Sequence, residues 1–210
     1  MADSGSLTAR LAMSSSIRPV TLDDVVGLER YEAVRDDVRR RVIALKKARR
    51  VSLGPELTFV FENHATVYFQ IQEMLRAERI TDLDAVRAEL AVYNALLPEF
   101  GQLSATLLIE ITEHENIAER LLTFLGIDEC VALDVGGERV AAVFEEGRSR
   151  EDKLSAVQYL RFALPASARR AFADAAVPAR LVVEHPHYRH AVELTGDVRA
   201  SLSEDLRGDA

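Results

Sequence analysis

Residues 49–80, RRVSLGPELTFVFENHATVYFQIQEMLRAERI, constrain the fold most, because an extended pattern gives way to a helical one within a few positions. Residues 51–53 read as an extended piece, Gly54-Pro55 as a turn and residues 57–61 as a strand on which Leu57, Phe59 and Phe61 share one face. Asn63 then caps a helix with Val67, Ile71, Met74, Leu75 and Glu78 along one side and Gln72, Arg76 and Arg79 along another. A hairpin turning at Asn63-His64, with residues 65–71 as a strand, competes with that helix, since a short apolar run suits either state. Polar residues are threaded through this apolar frame more densely than a plain core requires. Glu62, Asn63, Gln70 and Glu73 are therefore candidates for the polar contacts of a small-molecule pocket between strand and helix.

The rest of the chain supplies the partners for this unit. Leu28, Tyr31, Val34, Val38, Val42 and Leu45 recur at helical spacing and predict a long first helix within 21–47. Residues 82–97 read as a helix stopped by Pro98, and residues 103–111 as a nearly unbroken apolar strand buried on both faces. Thr112 followed by Glu115 is a capping-box pattern, ahead of an apolar stripe of Ile117, Leu121, Leu122 and Leu125 that ends at Gly126. Beyond it, residues 131–135 and 139–144 flank Gly136-Gly137 as a hairpin, and a charged loop covers 145–153. A strand at 156–164, a short helix opened by Pro165, a strand at 179–184 ahead of a His-rich turn and a helix at 197–206 complete the order. This succession is α+β, with a helix-rich N-terminal half carrying a mixed sheet and a strand-rich C-terminal half. Residues 1–18 read as a disordered tail, and 19–207 as a single α+β domain or as two lobes meeting near 127.

Charge and cysteine usage exclude several function classes. The 34 acidic against 26 basic residues give a net charge of -8, which disfavours general nucleic-acid binding because that depends on a positive field. A single cysteine, Cys130, closes no intramolecular disulfide and holds no iron-sulfur cluster alone. The first twenty residues lack a continuous apolar core of the secretory kind, and no run approaches the ~20 apolar residues of a spanning helix. The expectation is a cytoplasmic protein not inserted in a membrane.

Four groups of residues can carry chemistry. His185, His187 and His190, in EHPHYRH, put three of the five histidines within six residues beside Glu184, and imidazole with carboxylate is a common ligand set for transition metals. A His-rich surface turn accounts for the same residues, and Pro186 interrupts the extended geometry that would align them. Glu110, Glu113 and His114 meet at a strand end as an acid-base or ligand set, although acidic residues also suit a first helical turn. Arg39, Arg40, Lys46 and Lys47 belong to a basic cluster that can bind an acidic partner; a solvated helix face explains it equally, with Glu32, Asp36 and Asp37 close by. Cys130 is either a thiol nucleophile or a small core residue. Walker A, Gly-x-Gly-x-x-Gly, Gly-x-Ser-x-Gly, His-Glu-x-x-His and Cys-x-x-Cys patterns are all missing, so no cofactor or reaction class is named by motif.

The blocks LKKARRVSLGPELTFVFENHATVYFQIQEMLRAERI, LSATLLIEI, FEEGRSREDKLSAVQYLRF and VEHPHYRHAVEL resemble, in order, an uncharacterised bacterial family classed as a domain of unknown function. The resemblance covers most of residues 21–207. It implies a setting rather than a mechanism: family members are often encoded beside rubrerythrin-like di-iron and heterodisulfide-reductase-like iron-sulfur proteins. The reading that follows is an accessory or binding protein acting with a redox or oxidative-stress partner, such as an iron-sulfur or di-iron protein. The alternative is a metal-binding protein or metal-dependent oxidoreductase that uses the His cluster with carboxylates.

Overall fold

A computed structural model describes residues 17–111, 116–147, 149–150 and 153–207. The order of elements is α1 (Leu28–Lys47), β1 (Arg50–Leu53), β2 (Leu57–Glu62), α2 (His64–Ala77), α3 (Leu83–Asn94), β3 (Gln102–Ile109), α4 (Ile117–Leu122), β4 (Val131–Val135), β5 (Glu138–Phe144), β6 (Ser149–Arg150), β7 (Lys153–Leu154), β8 (Val157–Ala163), α5 (Ala166–Ala173), β9 (Ala179–His185), β10 (Tyr188–Glu193) and α6 (Gly196–Arg207). Eight strands form one sheet in the order β1-β2-β3-β8-β5-β4-β9-β10, while β6 and β7 pair separately.

Helix and sheet are both present as expected, but the sheet is not mixed: every pairing is antiparallel. The reason lies in the connections. Tight hairpins join β1 to β2, β4 to β5 and β9 to β10, and such turns force antiparallel neighbours. Between β2 and β3 the chain passes through two helices, which together return it to the end of the sheet it left, so β2 and β3 also pair antiparallel.

The sheet curls until its first and last strands nearly meet. Alternate residues Leu57, Phe59, Phe61, Leu103, Leu107, Leu133, Phe162, Leu181 and Val183 are almost wholly buried in one cluster, as expected of an eight-stranded barrel just wide enough to be filled by side chains. Phe124 and Ile127 from the α4–β4 connection, and Phe172, Leu202 and Leu206 from α5 and α6, complete it. Tyr188 bridges the seam: its hydroxyl donates to the Leu53 carbonyl at 2.6 Å and accepts from the Glu56 amide at 3.1 Å. Gly54 makes this approach possible. A Cβ there would lie 2.4 Å from the Tyr188 hydroxyl, and its φ of +70° disfavours a side chain in any case.

The first three helices form a second layer outside the barrel. Val67, Tyr68, Ile71 and Leu75 of α2 pack with Val86 and Leu90 of α3, while Tyr31, Val38 and Val42 make a small cluster on α1. Two amide side chains lock the segment before α1 onto this layer. Gln72 accepts from the Val26 amide and donates to its carbonyl, and Asn94 does the same for Val20. Gln72, placed by periodicity on a polar side, is fully buried for that reason.

Three further expectations change. The helix at Asn63 displaces the hairpin alternative, because Asn63 and Thr66 form a complete capping box. The helix before Gly126 is only six residues long, leaves Ile117 and Leu122 exposed and buries no residue, and the capping pattern Thr112–Glu115 lies outside the described residues. The His-rich turn is the tip of a hairpin: Tyr188 pairs with His185, Pro186-His187 make the reversal, and β10 follows as an edge strand.

Tyr188→Phe removes both seam hydrogen bonds at little cost in packing. It is expected to lower stability by about 1–2 kcal/mol in denaturant unfolding and to speed amide exchange at Glu56, whose N–H loses its acceptor.

Candidate functional site

The densest polar site is the junction of β2 and α2. Along β2, Leu57, Phe59 and Phe61 face the barrel core, so Thr58, Val60 and Glu62 face the other way. The Asn63 cap starts α2 so that Thr66 and Gln70, one turn apart, reach back to Glu62. Glu62 is 2% exposed, and its carboxylate is held by three neutral donors: Thr66 Oγ1 and Gln70 Nε2 on one oxygen, Thr106 Oγ1 on the other at 2.6 Å. No cation bonds this carboxylate among the described residues. Gln70 and Thr106 are half-buried and form the rim through which Glu62 is nearest to solvent. Farther along the same face, Glu110 accepts from Thr58 Oγ1 and Arg50.

Behind the junction sits a buried ion pair. The Arg49 guanidinium, wholly buried, donates to the carbonyls of Phe61 and Glu62, to Ser201 Oγ and to both oxygens of Asp205. Burial pushes the Asp205 carboxyl up to about 6, against the pull of Arg49. The fully buried Asn63 Nδ2 has no hydrogen-bond partner among the described residues, a cost accepted within an otherwise satisfied cluster.

Glu62, Asn63 and Gln70 are thus brought together, and neither of the cavities beside α5 and α6 is lined by them. Glu73 is not with them. It lies seven residues beyond Thr66, about 10 Å along the helix, where it accepts from Tyr31 Oη and makes a two-pronged pair with Arg35. The Arg35 hydrogen bonds hold its carboxyl down at about 2. Glu73 therefore fastens α1 to α2.

The histidines occupy three different settings. His185 is 2% exposed, its Nε2 hydrogen-bonded to the Leu125 carbonyl and its Nδ1 accepting from the His187 amide, so both ring nitrogens are occupied. The His187 ring centre is 5.7 Å from that of His185, and exposed His190 packs on Tyr188 at 4.5 Å. Glu184 is exposed and pairs with Arg139 at 3.0 Å. Among the described residues, no group of three or more His, Cys, Asp and Glu side chains is arranged to hold a metal ion. Glu113 and His114 lie outside the described residues. Burial and the nearby carboxylates of Glu129, Asp128 and Glu184 push the Cys130 thiol up, which disfavours the reactive thiolate.

Of the basic cluster, Arg39, Arg40 and Lys47 are solvent-exposed along α1, with Ile43 49% exposed one turn from Arg39 and Lys47. Arg40 pairs with Asp37, and Lys46 lies 6.0 Å from the Phe69 ring. Residues 19–206 match a protein family of unknown function, DUF3501. The chain belongs to this family. A crystal structure of a protein of unknown function from Burkholderia pseudomallei K96243 is similar to this DUF3501 chain, with 38% identity and a TM-score of 0.84, over 90% of this chain and 100% of the other. Among curated proteins none matches. No described helix is long and apolar enough to cross a membrane.

Arg49 and Asp205, with Thr66 and Thr106 that hold Glu62, are the residues of the site that the sequence alone does not single out. Arg49 follows directly on the basic end of α1, and its only distinguishing sign is its place between the last helical turn and the first apolar strand residue.

Asp205→Ala strands the Arg49 charge and is expected to cost about 3–5 kcal/mol in denaturant unfolding, whereas Arg49→Met with Asp205→Leu recovers much of that loss. Glu73→Gln is expected to cost about 1–2 kcal/mol at neutral pH. Because the folded carboxyl titrates below its ordinary value of 4.5, this stability is complete above that pH and is lost as pH falls toward 2. Urea midpoints of wild type and variant should therefore converge in acid.

Proposed function

We propose that the protein is a non-catalytic accessory protein that docks an acidic partner through the exposed basic face of α1. The observation that carries this reading is a division of labour among the charged groups. Buried Arg49, Asp205 and Glu62 are saturated by partners inside the protein. Arg39 and Lys47 have no ion pair among the described residues, and exposed Ile43 between them supplies apolar contact. Basic residues around an apolar contact suit a complementary acidic surface, which speeds encounter and fixes orientation. The packed barrel interior supports the same reading, since it leaves recognition to the outer surface. A redox or oxidative-stress partner, such as an iron-sulfur or di-iron protein, is the class that the family resemblance implies.

The test is a titration of a purified, acidic rubrerythrin-like di-iron protein with wild type and with the set Arg39→Glu, Arg40→Glu, Lys46→Glu, Lys47→Glu. Affinity is expected to fall at least about tenfold at low salt and the difference to shrink at high salt. Equal affinities at low salt would reject this face as the docking surface.

A further inference from the structure

The α5 and α6 helices flank a recess that neither the polar junction nor the α1 face uses. A cavity of about 580 Å³ opens there, lined by Pro178, Thr195, Gly196, Arg199, Ser203 and Arg207 among others. Its size falls in the range of small-molecule sites. A smaller recess of about 170 Å³, lined by Arg169, Arg170, Leu206, Ala173, Ser203 and Arg207, shares the last three residues with it. Four arginines thus line two adjoining recesses, together the α5–α6 groove, on a protein of net charge -8.

Arg199 is the fixed element. It is 6% exposed, stacks on Phe172 at 4.1 Å, and spends Nε and Nη2 on the carbonyls of Phe172, Ala171, Asp174 and Val177. These bonds close the end of α5 and hold the guanidinium plane in place. No protein acceptor bonds its Nη1 among the described residues, so this nitrogen remains for a ligand in the cavity that Arg199 lines. Arg207 and Arg170 are exposed at the surface of the groove and have no ion pair among the described residues. Glu193 and Glu204 also line the larger recess, so the overall field there is mixed and only a ligand placed on the arginines gains from it. A guanidinium fork held in place beside exposed ones suits the recognition of an oxyanion.

We infer that the α5–α6 groove binds a small ligand carrying a phosphate or carboxylate group, seated on Arg199 and Arg207. The apolar wall of Ala173, Val177 and Pro178 accepts the remainder of the molecule. This inference is independent of the α1 docking face.

The test uses the full chain, with inorganic phosphate and citrate as separate probes in low-salt buffer, followed by amide shifts in nitrogen-15 spectra. Saturable shifts are expected at Thr195, Gly196, Arg199 and Ala200, with a dissociation constant at or below the millimolar range, ~5 mM. Phosphate binding alone would assign the site to phosphorylated ligands, and citrate binding alone to carboxylates. Both outcomes uphold the oxyanion site. The pair Arg170→Glu with Arg207→Glu, both exposed and so not needed for folding, should weaken binding about tenfold or more, while Lys46→Glu with Lys47→Glu leaves it unchanged. Absence of saturation with either probe, unchanged affinity in the Arg170/Arg207 variant, or equal weakening by both variant pairs would overturn the proposal.

Discussion

The Arg49 guanidinium is the point on which the rest of this structure turns. It lies two residues beyond α1, immediately before β1, and contacts the end of β2 and two residues of α6. A buried cation is tolerated only when its charge is met and its donors are filled. Here Asp205 meets the charge, while Ser201 and two backbone carbonyls fill the fork. A lysine at this position would offer no planar array to span four accepting residues on two elements. The arrangement joins the helical layer, the barrel and the C-terminal helix through one side chain, so none of the three can shift without exposing an unpaired buried charge.

Barrel closure decides where everything else goes. Eight strands leave room inside only for side chains, and Phe59, Phe61, Phe162 and their neighbours take it all. The seam between β1 and β10 is joined by a side chain, Tyr188, where a closed ladder would use backbone pairs. The outward face of β2 then needs its own cover. The α2 helix supplies it, and Glu62 becomes buried between sheet and helix, where only Thr66, Gln70 and Thr106 are close enough to satisfy it.

What the sequence made legible was local. Alternation in residues 57–61, the Asn63 cap and the helical stripe from Val67 to Leu75 are set by contacts within a turn or two, and each appears in the structure. The grouping of Glu62, Asn63 and Gln70 follows from the same short spacings. The misses have longer reach. Arg49 and Asp205 are 156 residues apart, and neither carries a mark of burial in its own neighbourhood. Gln72 and Asn94 are ordinary helix-surface residues by composition; Gln72 becomes buried and Asn94 half-buried because the segment near Val20 and Val26 crosses over them. β10 was hidden because an edge strand with most of its side chains exposed has no apolar alternation to detect. The antiparallel sheet was misread because its helices are side layers, whereas a mixed sheet would need some of them as crossovers between parallel neighbours.

The distribution of charge then separates what holds the fold from what is left to act. Glu73, Asp205, Glu62 and Arg49 are consumed by contacts between elements, and removing any of them is a change to stability before it is a change to function. His185 belongs with them, since its ring joins the β9–β10 hairpin to the turn after α4. Among the basic residues, Arg39 and Lys47 on the outer face of α1 and Arg170 and Arg207 at the α5–α6 groove have no ion pair among the described residues, and their sign opposes that of the molecule as a whole. Local positive charge of this kind favours anionic partners at both places. Chemistry at either place would come from the molecule bound there, which is why the reading of this chain rests on what it binds.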